Sequence, residues 1–297
     1  ANARRPGQNL DAARDRLMAE GFGMIQRAKI GCGITTYRRL EQLTRLCESL
    51  PQDVLDALVV VNDDPATPLP SRLGRALVIN NPRNLGVGKS KNVALRWLLG
   101  QGAEHFFLFE DDVFIKDPDV FVRYIRAAQL SGIQHFNHGP IGPTPLNTRQ
   151  DGVGAPNLRI ELDTGHAIEC YPSPVAAMSY FTRRCLETVG LYDEDFYNAH
   201  EHIDHTLRII HHGMHPPFGF FADIADSQHF LGGDDWSVQQ SSIPKTGDRF
   251  AISAEADKVF LAKHGLLIGE IRQAGIQEAL RALAAIRQRF GQMPAAR

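Results

Sequence analysis

Short apolar runs that end in polar residues alternate with stretches of helical periodicity through the first 112 positions, and this narrows the fold more than any other feature. Residues 29–35 form the first run, which stops at Thr35 and Thr36. Residues 57–61 form the second and lead into Asn62, Asp63, Asp64 and Pro65. A third spans 76–79, and a fourth, 106–109, runs into Glu110, Asp111 and Asp112. Between them, residues 38–50 place Leu40, Leu43, Leu46, Cys47 and Leu50 on one side of a helix, and 90–99 read as another. Strands alternating with helices predict βαβ units, hence an α/β fold with a mixed, mainly parallel sheet flanked by helices. The polar residues after the strands then gather at the carboxyl edge of the sheet, where ligands of open α/β folds bind.

Beyond this part the pattern loosens. Pro140, Pro143, Pro145 and Pro156 mark 139–174 as an irregular or β-rich insert, too long for a plain connection and suited to a lid. Regular patterning returns as a strand at 175–181, a helix at 182–189 and another at 201–212, stopped by Gly213 and Pro216. Residues 218–224 are strand-like and 231–249 a polar loop. Amphipathic helices are expected at both ends, over 10–25 and 254–290. The expected division is a helical flank at 1–27, a catalytic domain at 28–250 and a helical extension at 251–297.

Composition removes several classes of function. A net charge of −2 lacks the basic excess of a nucleic-acid binder. The four cysteines stand far apart with no CxxC pair, which argues against a zinc ribbon or a disulfide framework and for free thiols in a reducing compartment. No apolar run approaches the roughly 18 residues that cross a bilayer, and residues 1–20 are polar and Arg-rich, unlike a signal peptide. A cytoplasmic protein is expected, compatible with peripheral association at the inner face of the membrane.

Three segments carry chemistry. At Glu110-Asp111-Asp112 an apolar strand delivers three carboxylates to the sheet edge. Alternation turns Glu110 and Asp112 to one side, a pattern suited to Mg²⁺ or Mn²⁺ held with substrate phosphates, or to a solvated acidic turn. The loop 81–92 contains Gly86 and Gly88 and opens a helix bearing Lys89 and Lys91, an arrangement suited to a diphosphate. Its spacing is not that of a Walker A loop. Finally, Glu201, Asp204 and Arg208 share one helix face with His205, and His202 lies one step aside. Such a face can supply a general base for a hydroxyl, or it can be an exposed helix with paired charges.

The order of these segments resembles family 2 glycosyltransferases, which have the GT-A fold. Residues 33–39, Gly-Ile-Thr-Thr-Tyr-Arg-Arg, resemble the family's opening strand and turn. Val59 to Asp64 resembles its second strand, 84–92 its N-x-G-x-x-x-A-R-N segment, Glu110-Asp111-Asp112 its D-x-D motif, and 181–194 the lead-in to its acceptor helix. The resemblance implies an inverting transfer from a nucleotide-diphosphate sugar, expected to be a UDP-sugar, to a saccharide or glycoconjugate hydroxyl, with Mn²⁺ or Mg²⁺. It assigns donor binding to Thr35, Thr36, Tyr37, Arg38, Asp63, Asn84, Gly86, Lys89, Lys91, Asn92 and Asp111, and metal binding to Glu110, Asp112 and His229. The base would be His202, Glu201 or Asp204. The family usually has E-D-x-D-x-x-x-R here, so His202 stands where the catalytic Asp is expected. The other readings are a sugar-phosphate nucleotidyltransferase, or a GT-A carbohydrate-binding scaffold that has lost catalysis.

Overall fold

The computed structural model describes residues 28–51, 53–140, 147–233 and 249–292. The helix expected at 10–25 and most of the polar loop at 231–249 lie outside these residues. The first half alternates as expected: β1 (Ile30–Thr36), α1 (Leu40–Ser49), β2 (Ala57–Asn62), a short β3 (Arg72–Leu73), β4 (Ala76–Asn80), α2 (Val87–Gly100) and β5 (His105–Glu110). Next come β6 (Val113–Ile115), α3 (Val120–Ser131) and β7 (His135–Asn137), then a hairpin of β8 (Leu158–Asp163) and β9 (His166–Tyr171). The chain continues through β10 (Met178–Thr182), α4 (Arg183–Val189), α5 (Glu201–His211), β11 (Phe221–Ile224), β12 (Leu231–Gly233), α6 (Arg249–His264) and α7 (Ile276–Phe290).

The main sheet has the order β3-β4-β2-β1-β5-β10-β7. Strands β4, β2, β1 and β5 are parallel to their neighbours, β10 runs antiparallel between β5 and β7, and β3 is an antiparallel edge. The fold is therefore mixed α/β with a mostly parallel central sheet flanked by helices. Central strands covered on both faces read as continuous apolar runs, which is why 57–61 and 106–109 show no polar alternation. Period 2 still sorts their side chains. Cys32, Ile34, Val60, Phe107 and Phe109 pack toward Leu43 and Leu46 of α1 and Phe121 and Tyr124 of α3. On the other face, Val59, Val61, Phe106 and Leu108 meet Ala94, Leu95 and Leu98 of α2 and Cys185 and Leu186 of α4.

Several expectations change. Helix α3 and strands β6 and β7 occupy a stretch without an assigned element in the sequence analysis, although Val120, Phe121, Tyr124, Ile125 and Ala128 follow helical spacing and are all buried. Part of the insert at 139–174 is the β8–β9 hairpin, which joins β11 in a separate three-stranded sheet. Residues 231–233 pair with β6 instead of belonging to a polar loop. The helical tail expected over 254–290 consists of α6 and α7, and the chain leaves α6 at Gly265, whose φ of 74° favours glycine. Phe260 of α6 is fully buried in a cluster with Phe196, Phe218 and Phe221, while Leu283 and Ile286 of α7 join the core beside α3. Among the described residues no helix is long and apolar enough to cross a membrane.

Asn92 of α2 ties this scaffold to the segment before α5. Fully buried, it donates from Nδ2 to the Tyr192 carbonyl (2.9 Å) and Glu194 Oε1 (3.0 Å), and its Oδ1 accepts from the Tyr192 N–H (3.0 Å). Asn92→Ala strands two buried backbone groups and should lower unfolding free energy by about 2–4 kcal/mol in a urea titration. A loss under about 0.5 kcal/mol would remove this tie from the account.

Candidate active site

The carboxyl ends of β1, β2 and β5 and the starts of α2 and α5 share one edge of the sheet. At the end of β5 Glu110 meets Lys91, while Asp111 and Asp112 share Arg39. Glu110 is partly open and accepts from Lys91 Nζ at 2.7 Å. Asp111 is buried, accepts from Thr36 Oγ1 at 2.6 Å and pairs with the Arg39 guanidinium. Asp112 accepts from Arg39 Nη1 at 3.1 Å through Oδ2, while its buried Oδ1 has no hydrogen-bond partner among the described residues. Burial pushes the Asp111 carboxyl up to about 7, against the pull of Arg39 and the Thr36 hydrogen bond. Burial and the neighbouring Glu110 also raise Asp112. Arg39 was not singled out as a site residue from the sequence; its signal was an arginine just past the turn that follows β1.

The second half of the site is built on α5. Gly88 lets α2 approach it closely, since a Cβ there would lie 3.2 Å from the Glu201 Cβ. Lys91, on the same helix as Gly88, is 1% exposed, with its ammonium 2.7 Å from Glu110 and 3.9 Å from Glu201. Burial alone would lower the Lys91 pKa, but Glu110, Tyr192 and Glu201 hold it above the ordinary lysine value. Burial would likewise raise Glu201, yet hydrogen bonding and charge from His202, with Lys91, bring it down to about 2. His202 Nδ1 lies 3.4 Å from Glu201 Oε1, and no described residue hydrogen-bonds its Nε2. One buried lysine thus sits between the carboxylates of β5 and a Glu–His pair at the start of α5.

Other expected residues are placed differently. Asp63 is taken up by the scaffold: Oδ1 accepts from Asn81 Nδ2 and the Leu85 N–H (both 2.8 Å), and Oδ2 from the Gly86 N–H (2.9 Å). Asn198 Oδ1 caps the Val87 N–H at 2.8 Å, so the first amide of α2 is already satisfied by a protein group. Asn92 is fully engaged with residues 192 and 194 and lines no cleft. Asp204 is buried among Arg208 Nε (2.9 Å), Lys263 Nζ (2.7 Å) and His264 Nε2 (2.9 Å), an ion cluster that locks α6 to α5. His229 lies beside Arg123 and Phe230 in another cavity. The β6–β12 register, with Gly233 opposite Val113 and Leu231 opposite Ile115, sets it at the far end of that ladder from Asp112. Tyr37, Arg38, Asn84 and Lys89 are at least partly open at the edge, and the buried Thr35 Oγ1 has no described hydrogen-bond partner.

Among the described residues no group of three His, Cys, Asp or Glu side chains is arranged around a metal position. The donor set still fits a hard divalent cation. Asp112 offers an unpartnered buried oxygen, and such cations bind with one or two carboxylates, water and substrate phosphates. The neighbouring Glu110 acts on Asp112 electrostatically, and Arg39 pairs with both Asp111 and Asp112.

No family model matches the sequence, and no curated protein matches it. Among solved structures, one of S. aureus TarS residues 1–349 aligns at 15% identity with a TM-score of 0.42, covering 61% of this chain and 54% of that one. Another of S. aureus TarS gives 12% identity and a TM-score of 0.47, covering 88% and 49%. The mannosyltransferase PcManGT from Pyrobaculum calidifontis, in complex with GDP-Man and Mn²⁺, gives 15% and 0.46, covering 97% and 84%. The match spans about half the length of each TarS structure. Likenesses at these scores decide no activity, so function rests on the geometry.

Asp111 makes that geometry testable by pH. Its folded pKa lies above the ordinary carboxylate value, so between about 4 and 7 the folded state binds more protons than the unfolded one. Its contribution to stability therefore falls as pH rises through that window. Urea midpoints at pH 5 and pH 7.5 should fall further in the wild type than in Asp111→Asn. Equal falls would show that Asp111 is not held in this state.

Proposed function

We propose that the chain is an inverting GT-A glycosyltransferase that moves a sugar from a nucleotide-diphosphate donor to a saccharide or glycoconjugate hydroxyl. The observation that carries this reading is the pairing, at one sheet edge, of a carboxylate centre with an unpartnered oxygen and a Glu–His pair, joined by buried Lys91. Asp112, supported by Glu110, would hold Mn²⁺ or Mg²⁺. The bound cation supplies Lewis acidity to the departing diphosphate. A UDP-sugar is the donor that the sequence resemblance favours.

On the acceptor side His202 is the base. The Glu201 carboxyl, near 2, stays ionised and is itself a weak base at neutral pH. It orients the imidazole through Nδ1 and stabilises the imidazolium, leaving Nε2 to take the hydroxyl proton as that oxygen attacks the anomeric carbon from the face opposite the diphosphate. Asp204 is excluded from this role by its bonds to Arg208, Lys263 and His264. Lys91 holds Glu110 and Glu201 at short range, 2.7 Å and 3.9 Å from its ammonium. A nucleotidyltransferase would need a Gly-rich loop with a basic residue directly after β1, where Thr35, Thr36 and Tyr37 stand.

Hydrolysis and transfer assays over a panel of UDP- and GDP-sugars with Mn²⁺ separate these readings. The wild type should turn over at least one donor, and Asp112→Asn should lose most cation-dependent donor binding. An inactive wild type that still binds saccharides would favour the scaffold reading.

His202→Ala should lower turnover by about a hundredfold or more with donor affinity nearly unchanged. If His202→Ala keeps most of its activity, the base lies elsewhere.

A further inference from the structure

The family resemblance gives nucleobase recognition to the Asp after β2, but here that segment has little left to offer a base. Asn62 Nδ2 donates to Asn80 Oδ1 (2.9 Å) and the Thr67 carbonyl (2.9 Å), and its Oδ1 accepts from the Asp64 N–H (3.1 Å). Asp63 is held by Asn81, Leu85 and Gly86 as described. Asp64 is 2% exposed, accepts from the Ala66 N–H at 3.1 Å and pairs with Arg38 Nε at 3.3 Å. Asn62 and Asp63 are spent on shaping their own loop and the loop before α2, and the Asp64 carboxylate, whose buried Oδ2 has no hydrogen-bond partner among the described residues, is closed off behind Arg38.

An aromatic residue stands over that second loop. Tyr197 is 41% exposed. Its hydroxyl donates to Asn84 Oδ1 at 3.1 Å, and its ring lies across Gly86, where an added Cβ would come within 2.7 Å of Tyr197 Cδ2. The backbone behind it is fixed by two non-glycine residues in the left-handed region, Asn198 (φ 56°) and His200 (φ 66°). Such conformations persist where surrounding contacts enforce them. Here Asn198 caps α2 at Val87, and His200 Nε2 lies 3.0 Å from Asp257 Oδ1 of α6. The ring is thus pre-set beside Asn84. Burial, with nearby Asp63 and Tyr37, raises the Tyr197 hydroxyl pKa, consistent with Tyr37 lying on the same side of the cleft.

We infer that Tyr197 is the nucleobase platform of the donor site, and that the base is recognised by stacking on this ring instead of by hydrogen bonds to a carboxylate after β2. This rests on the donor reading proposed above. Stacking is tolerant of base identity because every base has a π-face. The site therefore takes nucleoside diphosphates as a class, with little discrimination between uracil and guanine, and sugar selection falls to other parts of the cleft.

Calorimetric titration of UDP and GDP with Mn²⁺ into wild type, Tyr197→Ala and Tyr197→Phe tests the inference, with thermal melts confirming that each variant folds. The wild type should bind UDP and GDP within about tenfold of each other. Tyr197→Ala should weaken both by roughly 5- to 100-fold, the range of one lost base–aromatic stack, and Tyr197→Phe should bind like the wild type. A wild type that prefers one base by more than a hundredfold overturns the inference. So does a folded Tyr197→Ala that binds like the wild type, while the donor reading stands. If the wild type binds neither nucleotide, the donor reading itself falls and this inference with it.

Discussion

A lysine ammonium buried to 1% exposure is the constraint around which the site is organised. An isolated charge in such a place is costly, and it is retained only when paired and hydrogen-bonded. Lys91 meets this condition with Glu110 at 2.7 Å, Glu201 at 3.9 Å and the Ala176 carbonyl at 3.3 Å. Each partner comes from a different element: the end of β5, the start of α5 and the segment leading into β10. The same contacts that satisfy the ammonium therefore hold a carboxylate from the strand edge and one from the helix start in fixed relation. Gly88, one turn earlier on α2, allows the two helices to come close enough for this.

A second layer of polar contacts supports the first. Asp63, Asn92 and Asp204 look in the sequence like ligands for a substrate, because polar residues at strand ends and helix starts often are. In the fold each is fully bonded to protein. Asp63 shapes the loop before α2, Asn92 fastens residues 192–194, and Asp204 pins α6 through Lys263 and His264. They brace the scaffold, and the groups with spare hydrogen-bonding capacity include Asp112 Oδ1, Thr35 Oγ1 and His202 Nε2.

The sheet could be read from the chain because buried parallel strands leave continuous apolar runs and their helices leave a clear period. The carboxylate edge was equally visible, since Glu110-Asp111-Asp112 directly follows such a run. Short elements were harder. Strand β12 has three residues, two of them glycine, and only its pairing with β6 defines it. The position of His229 depended on that pairing, so sequence distance from α5 was a poor guide. The burial of Lys91 had no local signal, because lysine on a helix is ordinarily exposed and only the approach of three separate elements covers it. Tyr197 was hidden for a related reason: its partners Asn84 and Gly86 lie more than a hundred residues away.

If Lys91 links the two ends of the site, its energetic effect must depend on its partners. A double-mutant cycle of Lys91→Met and Glu201→Gln, measured by urea unfolding, tests this directly. Lys91→Met alone should cost about 3–5 kcal/mol, since it takes the buried cation away from Glu110 and Glu201. The double variant should recover at least about 1 kcal/mol relative to the sum of the single changes. Strictly additive losses, within about 0.3 kcal/mol, would contradict the account, because Lys91 and Glu201 would then be neighbours without a shared role.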